Sequence, residues 1–179
     1  MNSRSFSLQP FPSGGPPPLL QITGHVARCA QTITMHYELR GELAAVALPP
    51  PADVPARRQG LWEETCFEFF LAVQNSPQYW EFNLSPAGPW NVYHFADYRQ
   101  GMAEEAAFAS LPFRVQRRPD SWLLTLKVDL AKIVPADQTL EVGISAVIKL
   151  PEGEATYWAL SHPGPQPDFH RRDGFSVEL

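Results

Sequence analysis

Cysteine is scarce: two residues, at positions 29 and 66, serve the whole chain. One pair cannot build the disulfide framework of a small secreted domain. A free thiol is more often buried than reactive, so both are read as core thiols. Clustered positive charge is also missing. No basic run is longer than a pair and the net charge is −5, which argues against nucleic acid as the main partner, because phosphate binding needs a grouped Lys/Arg footprint. No apolar run is long enough to span a bilayer, and the first residues have no apolar core of an export signal. The expectation is a soluble, cytoplasmic chain with no membrane partner.

Several catalytic signatures are absent too. There is no Gly-rich phosphate loop and no Gly-x-Ser-x-Gly elbow. The histidines at 25, 36, 94, 162 and 170 never take the close helical spacing of a zinc protease site, and no Cys pair supports zinc. No Asp-rich loop stands out for calcium, although loop Asp residues and carbonyls leave calcium open as an alternative. No cofactor is therefore expected.

What is present is an aromatic, strand-forming chain. Hydrophobic residues make up 44% and aromatics 12%, a globular composition. Nineteen Pro and eleven Gly favour short elements and loops over long helices. Residues 1–18 are rich in Pro, Ser and Gly and read as an extended N-terminal arm. Residues 19–179 read as one domain.

The most informative stretch runs from Leu61 to Met102. Thr65–Leu71, Tyr79–Leu84 and Trp90–Phe95 have the residue types of strands. Ser85-Pro86-Ala87-Gly88 suits a type I turn. Alternation puts Trp80, Phe82 and Leu84 on one face and Tyr79, Glu81 and Asn83 on the other. In the first strand Phe67, Phe69 and Leu71 oppose Cys66, Glu68 and Phe70. In the third, Trp90, Val92 and His94 oppose Asn91, Tyr93 and Phe95. If these strands pair in order, one face builds a core and the other gathers Glu64, Glu68, Glu81 and Asn83 beside aromatics.

Elsewhere, 19–24, 32–40 and 43–48 read as strands, followed by a Pro-rich loop to Gln59. Ala103–Ala109 has the composition of one or two helical turns. Residues 112–118 and 121–130 read as a hairpin around Arg118-Pro119-Asp120. Asp129–Ile133 reads as a single helical turn. Residues 140–149, 155–160 and 174–179 complete nine to eleven strands. That count suits an all-β, two-sheet antiparallel sandwich of the jelly-roll or immunoglobulin-like kind.

Two constellations bear on function. Glu63, Glu64, Glu68 and Glu81 offer carboxyl pairs of the type a glycosidase uses as acid and base. The second is a set of aromatic and polar residues: Trp62, Glu64, Glu81, Asn83, Asn91, Tyr93, Arg99, Trp158 and His170. Sugar recognition needs a flat apolar platform for the ring and planar polar groups for its hydroxyls, and this set supplies both.

At these residues the chain resembles the family 9 carbohydrate-binding modules. The resemblance rests on Glu68-Phe69-Phe70-Leu71, on Tyr79 to Pro86 (YWEFNLSP), on Gly88, and on Trp90-Asn91-Val92-Tyr93. Near the end it rests on Tyr157 to Ser161 (YWALS), Pro167-Asp168-Phe169-His170 and Gly174-Phe175. Leu61 to Glu68 (LWEETCFE), Glu81 to Pro86 (EFNLSP) and Tyr98 to Met102 (YRQGM) make it similar to bacterial DOMON-like proteins of the same superfamily. The resemblance covers roughly 60–179. It implies a β-sandwich that binds a sugar or, as in other DOMON relatives, haem. The family's sugar clamp of two facing Trp has Trp62 and Trp158 as nearest candidates. A haem would look to Met102 with His162 or His170. The expected function is a non-catalytic domain binding a carbohydrate or sugar-like small molecule. The alternatives are an enzyme acting on a sugar derivative through Glu68 and Glu81, and a haem protein.

Overall fold

The computed structural model describes residues 2–12 and 19–179. Its strands are β1 (Asn2–Ser7), β2 (Gln9–Pro10), β3 (Leu20–Cys29), β4 (Thr32–Gly41), β5 (Cys66–Val73), β6 (Tyr79–Leu84) and β7 (Trp90–Phe95). They continue with β8 (Ala103–Glu104), β9 (Phe113–Arg117), β10 (Ser121–Asp129), β11 (Leu140–Lys149), β12 (Ala155–Ala159) and β13 (Val177–Glu178). One sheet runs β1-β3-β4-β10-β9. The other runs β2-β12-β11-β5-β6-β7-β8, with β13 also paired to β11. Every pairing between these strands is antiparallel. The fold is the expected two-sheet antiparallel β-sandwich.

Alternation builds the core. Ile33, Met35, Tyr37 and Leu39 of β4 point inward with Leu124 and Leu126 of β10. They meet Phe67, Phe69 and Leu71 of β5 and Trp80, Phe82 and Leu84 of β6. The Phe69 and Phe82 rings stack at 4.4 Å, a cross-strand pair set directly by the register. The Tyr37 hydroxyl crosses the core to donate to the Glu68 carbonyl at 2.6 Å. The expected turn after β6 closes with the Gly88 amide donating to the Ser85 carbonyl at 2.9 Å.

The two sheets differ in one respect that matters for function. The outer face of the β1-β3-β4-β10-β9 sheet is partly solvated, whereas β5, β6 and β7 are buried on both faces. A second apolar cluster of Phe70, Ala72, Tyr79, Tyr93, Phe95 and Phe175 covers the outer face of these strands. Phe175 arrives from the C-terminal loop. Its ring lies on Gly143 of β11 so closely that a Cβ there would meet it at 2.8 Å.

Several expectations are corrected. The N-terminal segment is not a free arm over its described part. β1 pairs with β3, and β2 joins β12 of the other sheet. Phe6 and Leu8 are buried in the core; two apolar residues at alternate positions suffice to anchor a polar strand. Residues 1 and 13–18 of the expected arm lie outside the described residues. Leu43–Ala45 is a 3-10 turn rather than a strand, since Gly41 (φ 115) breaks the ladder and the alanines bring no β-branched bulk. Ala103–Ala109 is not helical: β8 extends the sheet and Phe108 plugs the core. Of 174–179 only Val177–Glu178 is strand. Cys66 is buried as expected, but Cys29, the last residue of β3, is exposed.

Candidate functional site

On the outer face of β5 and β6 the register sets two rows of side chains. One row is Ser145, Glu68, Asn83 and Asn91. The next is Gly143, Phe70, Glu81 and Tyr93, ending at Glu104. This is the face that alternation assigned to the acids, but it is not solvated. Glu68 is 2% exposed and Glu81 is 4% exposed.

Above these rows lies a cavity of about 380 Å³, within the size range of small-molecule sites. It is lined by Trp62, Glu68, Glu81, Phe95, Arg99, Met102, Val147, Tyr157, Pro167, Phe169 and His170. Its floor is the carboxyl pair. Its walls are aromatic, and its rim is formed by residues that remain open to solvent: Trp62, Met102 and Tyr157. Trp62 stands on a 3-10 turn entered through Gly60 (φ 71), and its ring rests edge-on against Tyr93 at 5.7 Å.

The polar groups form a chain. The Arg99 amide donates to the Tyr79 hydroxyl at 3.1 Å. The same hydroxyl pairs with His170 Nδ1, 2.8 Å away, and His170 Nε2 lies 3.8 Å from Glu81 Oε2. On the other Glu81 oxygen, Asn83 Nδ2 donates to Oε1 at 2.9 Å. Among the described residues, three buried side-chain atoms have no partner: Glu68 Oε1, Asn83 Oδ1 and Ser145 Oγ. They are neighbours along one row of the sheet.

Burial decides the protonation states. It raises the Glu81 carboxyl to about 7, against the opposing pull of Asn83 and Arg99. Burial, reinforced by the charge of Glu81, pushes Glu68 well above the ordinary carboxylate range. Burial lowers His170 to about 4, helped by Arg99. At pH 7 His170 is thus neutral, and its contact with Glu81 is a dipole facing a carboxyl rather than an ion pair. Tyr79 is pushed up to about 12 by burial.

The C-terminal loop is pinned over this floor by Asp168. Its carboxylate accepts from Arg99 Nη2 at 2.7 Å, from the Tyr98 hydroxyl at 2.5 Å and from the His170 amide at 3.2 Å. Burial works against its charge, but the bonds from Tyr98 and Arg99 outweigh it and hold Asp168 below the usual range.

Of the residues expected at the site, Trp62, Glu81, Arg99 and His170 meet in the cavity. Asn83 lies beneath it, bonded to Glu81. Asn91 and Tyr93 form the flank. Asn91 Nδ2 faces the Tyr93 hydroxyl at 2.8 Å and Glu104 Oε1 at 3.0 Å, and Asn91 Oδ1 accepts from Arg57. Glu64 stands apart and is ion-paired with Arg58. Trp158 is 3% exposed and packs in the core between the sheets, so it cannot face Trp62. The aromatic that reaches the cavity from β12 is its neighbour Tyr157, because the register sets Trp158 opposite Ala146 and Tyr157 opposite Val147. Arg99 bonds Asp168 rather than the carboxyl pair.

Tyr157, Phe169 and Asp168 were missed as site residues. Alternation within 155–160 separates Tyr157 from Trp158 but does not say which faces outward. Arg57 was missed as well. Its guanidinium covers the Trp90 ring at 4.6 Å and donates to the Glu105 and Phe108 carbonyls.

Of the residues the resemblance offered to a haem, Met102 and His170 line the cavity; His170 Nδ1 is paired with the Tyr79 hydroxyl at 2.8 Å and His162 Nε2 with the Gln9 carbonyl at 2.9 Å. Among the described residues, no group of three His, Cys, Asp or Glu side chains is placed to hold a metal. Among them, too, no helix is long and apolar enough to cross a membrane.

No protein-family model matches the sequence, and no curated relative does either. The structure is similar to that of a candidate carbohydrate-binding protein from Bacteroides uniformis. The TM-score is 0.72 at 15% identity, over 96% of this chain and 83% of the other. It is also similar to a family 9 carbohydrate-binding module from Caldicellulosiruptor kristjanssonii in complex with cellotriose. There the TM-score is 0.50 at 8% identity, over 81% of this chain and 67% of that one. At these identities the likeness establishes a shared sandwich fold.

Proposed function

We propose that this chain is a non-catalytic binding domain for a carbohydrate or carbohydrate-like small molecule, held in the cavity above β5 and β6. The observation that carries the reading is the cavity's construction. Aromatic side chains at its rim and walls offer apolar platforms for a sugar ring. The floor offers the carboxyls of Glu68 and Glu81 and the ring nitrogen of His170 beside them, polar groups of the kind that hydroxyls pair with. The two similar structures, one named for carbohydrate binding and one holding cellotriose, support the same choice, as does the motif resemblance to DOMON-like proteins.

Catalysis through Glu68 and Glu81 is the weaker reading. Both carboxyls rise from adjacent strands on the same face, and hydrolysis would need them to flank a scissile bond bound across it.

Calorimetric titration against a panel of mono- and disaccharides tests the proposal. Affinity is expected between about millimolar and micromolar, or about 4–8 kcal/mol. Saturable binding that quenches Trp62 fluorescence supports it. Turnover of a glycoside that disappears in Glu81→Gln would replace it with the enzyme reading, and a Soret band on haem addition would replace it with the haem reading.

A further inference from the structure

We infer that the cavity selects a ligand bearing a protonated amine, an aminosugar-like polyol whose ammonium group sits against the Glu68 and Glu81 carboxyls. The inference rests on reading the cavity as a carbohydrate site, and it adds a charge to the ligand. The first ground is a surplus of acceptors. Glu68 lines the cavity, is 2% exposed and has an oxygen with no partner. The flanking atoms in its row, Asn83 Oδ1 and Ser145 Oγ, are equally unpartnered. Buried polar atoms are rarely left this way. Once ionised, the carboxyl pair can only accept, as can the Asn83 amide oxygen, and a ligand that brings N–H donors completes them. An ammonium brings three N–H donors and no lone pair, whereas a hydroxyl brings one donor and two lone pairs.

The second ground is the absence of a protein cation on the carboxyl pair among the described residues. Arg99 reaches the cavity, but its charge is matched by Asp168. His170 is neutral at pH 7. The third ground is the wall. Trp62, Tyr157, Phe95 and Phe169 surround the carboxyls, and aromatic faces beside carboxylates suit a cation.

The exchange is electroneutral. A carboxylic O–H of the pair releases its proton to solvent, and the ligand's ammonium takes its place. The other ionisable groups around the pair are Cys66 on β5, Tyr79 on β6, Tyr93 on β7, Glu104 on β8 and Tyr157 on β12. Arg99, Asp168 and His170 complete the set from the loops. Cys66 and Tyr79 are held protonated and His170 neutral, which leaves Glu81, raised to about 7, as the member of the pair that titrates near neutrality.

The test compares 2-amino- and 6-amino-deoxyglucose with their N-acetyl forms, with glucose and with methylammonium. Titrations at pH 7 in two buffers of different ionisation enthalpy count the protons released. The expected result is that one amino sugar binds about tenfold or more tighter than glucose and its N-acetyl form. It should release up to about one proton, with affinity falling as pH falls. In Glu68→Gln the preference should shrink, with the melting temperature confirming the fold; proton release by the unaltered protein stands independently of that variant. Equal binding of amino and neutral sugars without proton release overturns the ammonium site and leaves the carbohydrate reading intact. Methylammonium binding with proton release, and no sugar binding, supports the ammonium site and ends the carbohydrate reading. No binding by any probe ends both.

Discussion

Glu81 sits 4% exposed beside a second buried carboxyl, and this makes the protein's stability depend on pH in a direction that can be stated. Its folded value is about 7 against an ordinary 4.5. Because the folded value is raised, Glu81 contributes its full stability below about 4.5 and loses it progressively as pH rises to about 7. The loss is roughly 3 kcal/mol at most. His170 works in the opposite sense, since its lowered value costs stability as pH falls from 6.5 towards 4. The clean measurement is therefore the difference between Glu81→Gln and the unaltered protein. Glu81→Gln is expected to melt higher at pH 8 and to show no advantage at pH 4.5. A difference that does not vary with pH would show that the fold does not raise the Glu81 carboxyl. Trp62 is a separate case: it is 39% exposed and contributes little to the core. Trp62→Ala is expected to weaken ligand binding by about 1–3 kcal/mol while leaving the melting temperature nearly unchanged, as calorimetry and thermal scans would show.

At the scale of elements, the N-terminal strands and the C-terminal loop do the work that sequence patterning did not announce. β1 and β2 hold a polar segment in both sheets through Phe6 and Leu8. Phe6→Ala is expected to cost about 3–5 kcal/mol and Leu8→Ala about 2–4 kcal/mol in chemical denaturation. A cost under 1 kcal/mol for both would mean that this segment is not docked. The C-terminal loop covers the second face of β5 and β6 through Phe175, whose ring needs the bare backbone of Gly143. Gly143→Val is expected to push Phe175 away, expose the carboxyl pair and bring the Glu81 titration back towards the ordinary carboxylate range. Carbonyl-edited infrared or carboxyl-labelled NMR titration would read that change. The strand alternation of β5, β6 and β7 was legible because a period of two assigns faces whatever the neighbours are. The covering of the outer face was not legible, because it is made by residues about a hundred positions away.

For the whole molecule, two sheets each built on non-local pairings, β4 with β10 in one and β5 with β11 in the other, imply slow assembly. Refolding is expected on the millisecond-to-second scale of β-sandwiches, and stopped-flow Trp fluorescence would measure it. Far-UV circular dichroism should be strand-dominated, with helix well under a fifth.

The sequence by itself determined the fold class, the inward set Trp80, Phe82 and Leu84, the outward set Tyr79, Glu81 and Asn83, and the turn at Ser85–Gly88. These are local consequences of alternation and turn chemistry, and they need no partner to be specified. Only the tertiary structure decided which outward residues make a site. Glu81, His170, Arg99 and Trp62 come from four separated segments, and no periodicity relates them. It also decided that Tyr157 rather than Trp158 faces the cavity, since a strand's alternation leaves its absolute facing open until the register with β11 fixes it. The state of the carboxyl pair was decided in the same way. A carboxyl on an outward face is ordinary in water, and it becomes a proton-holding group only when a distant loop removes the water from it.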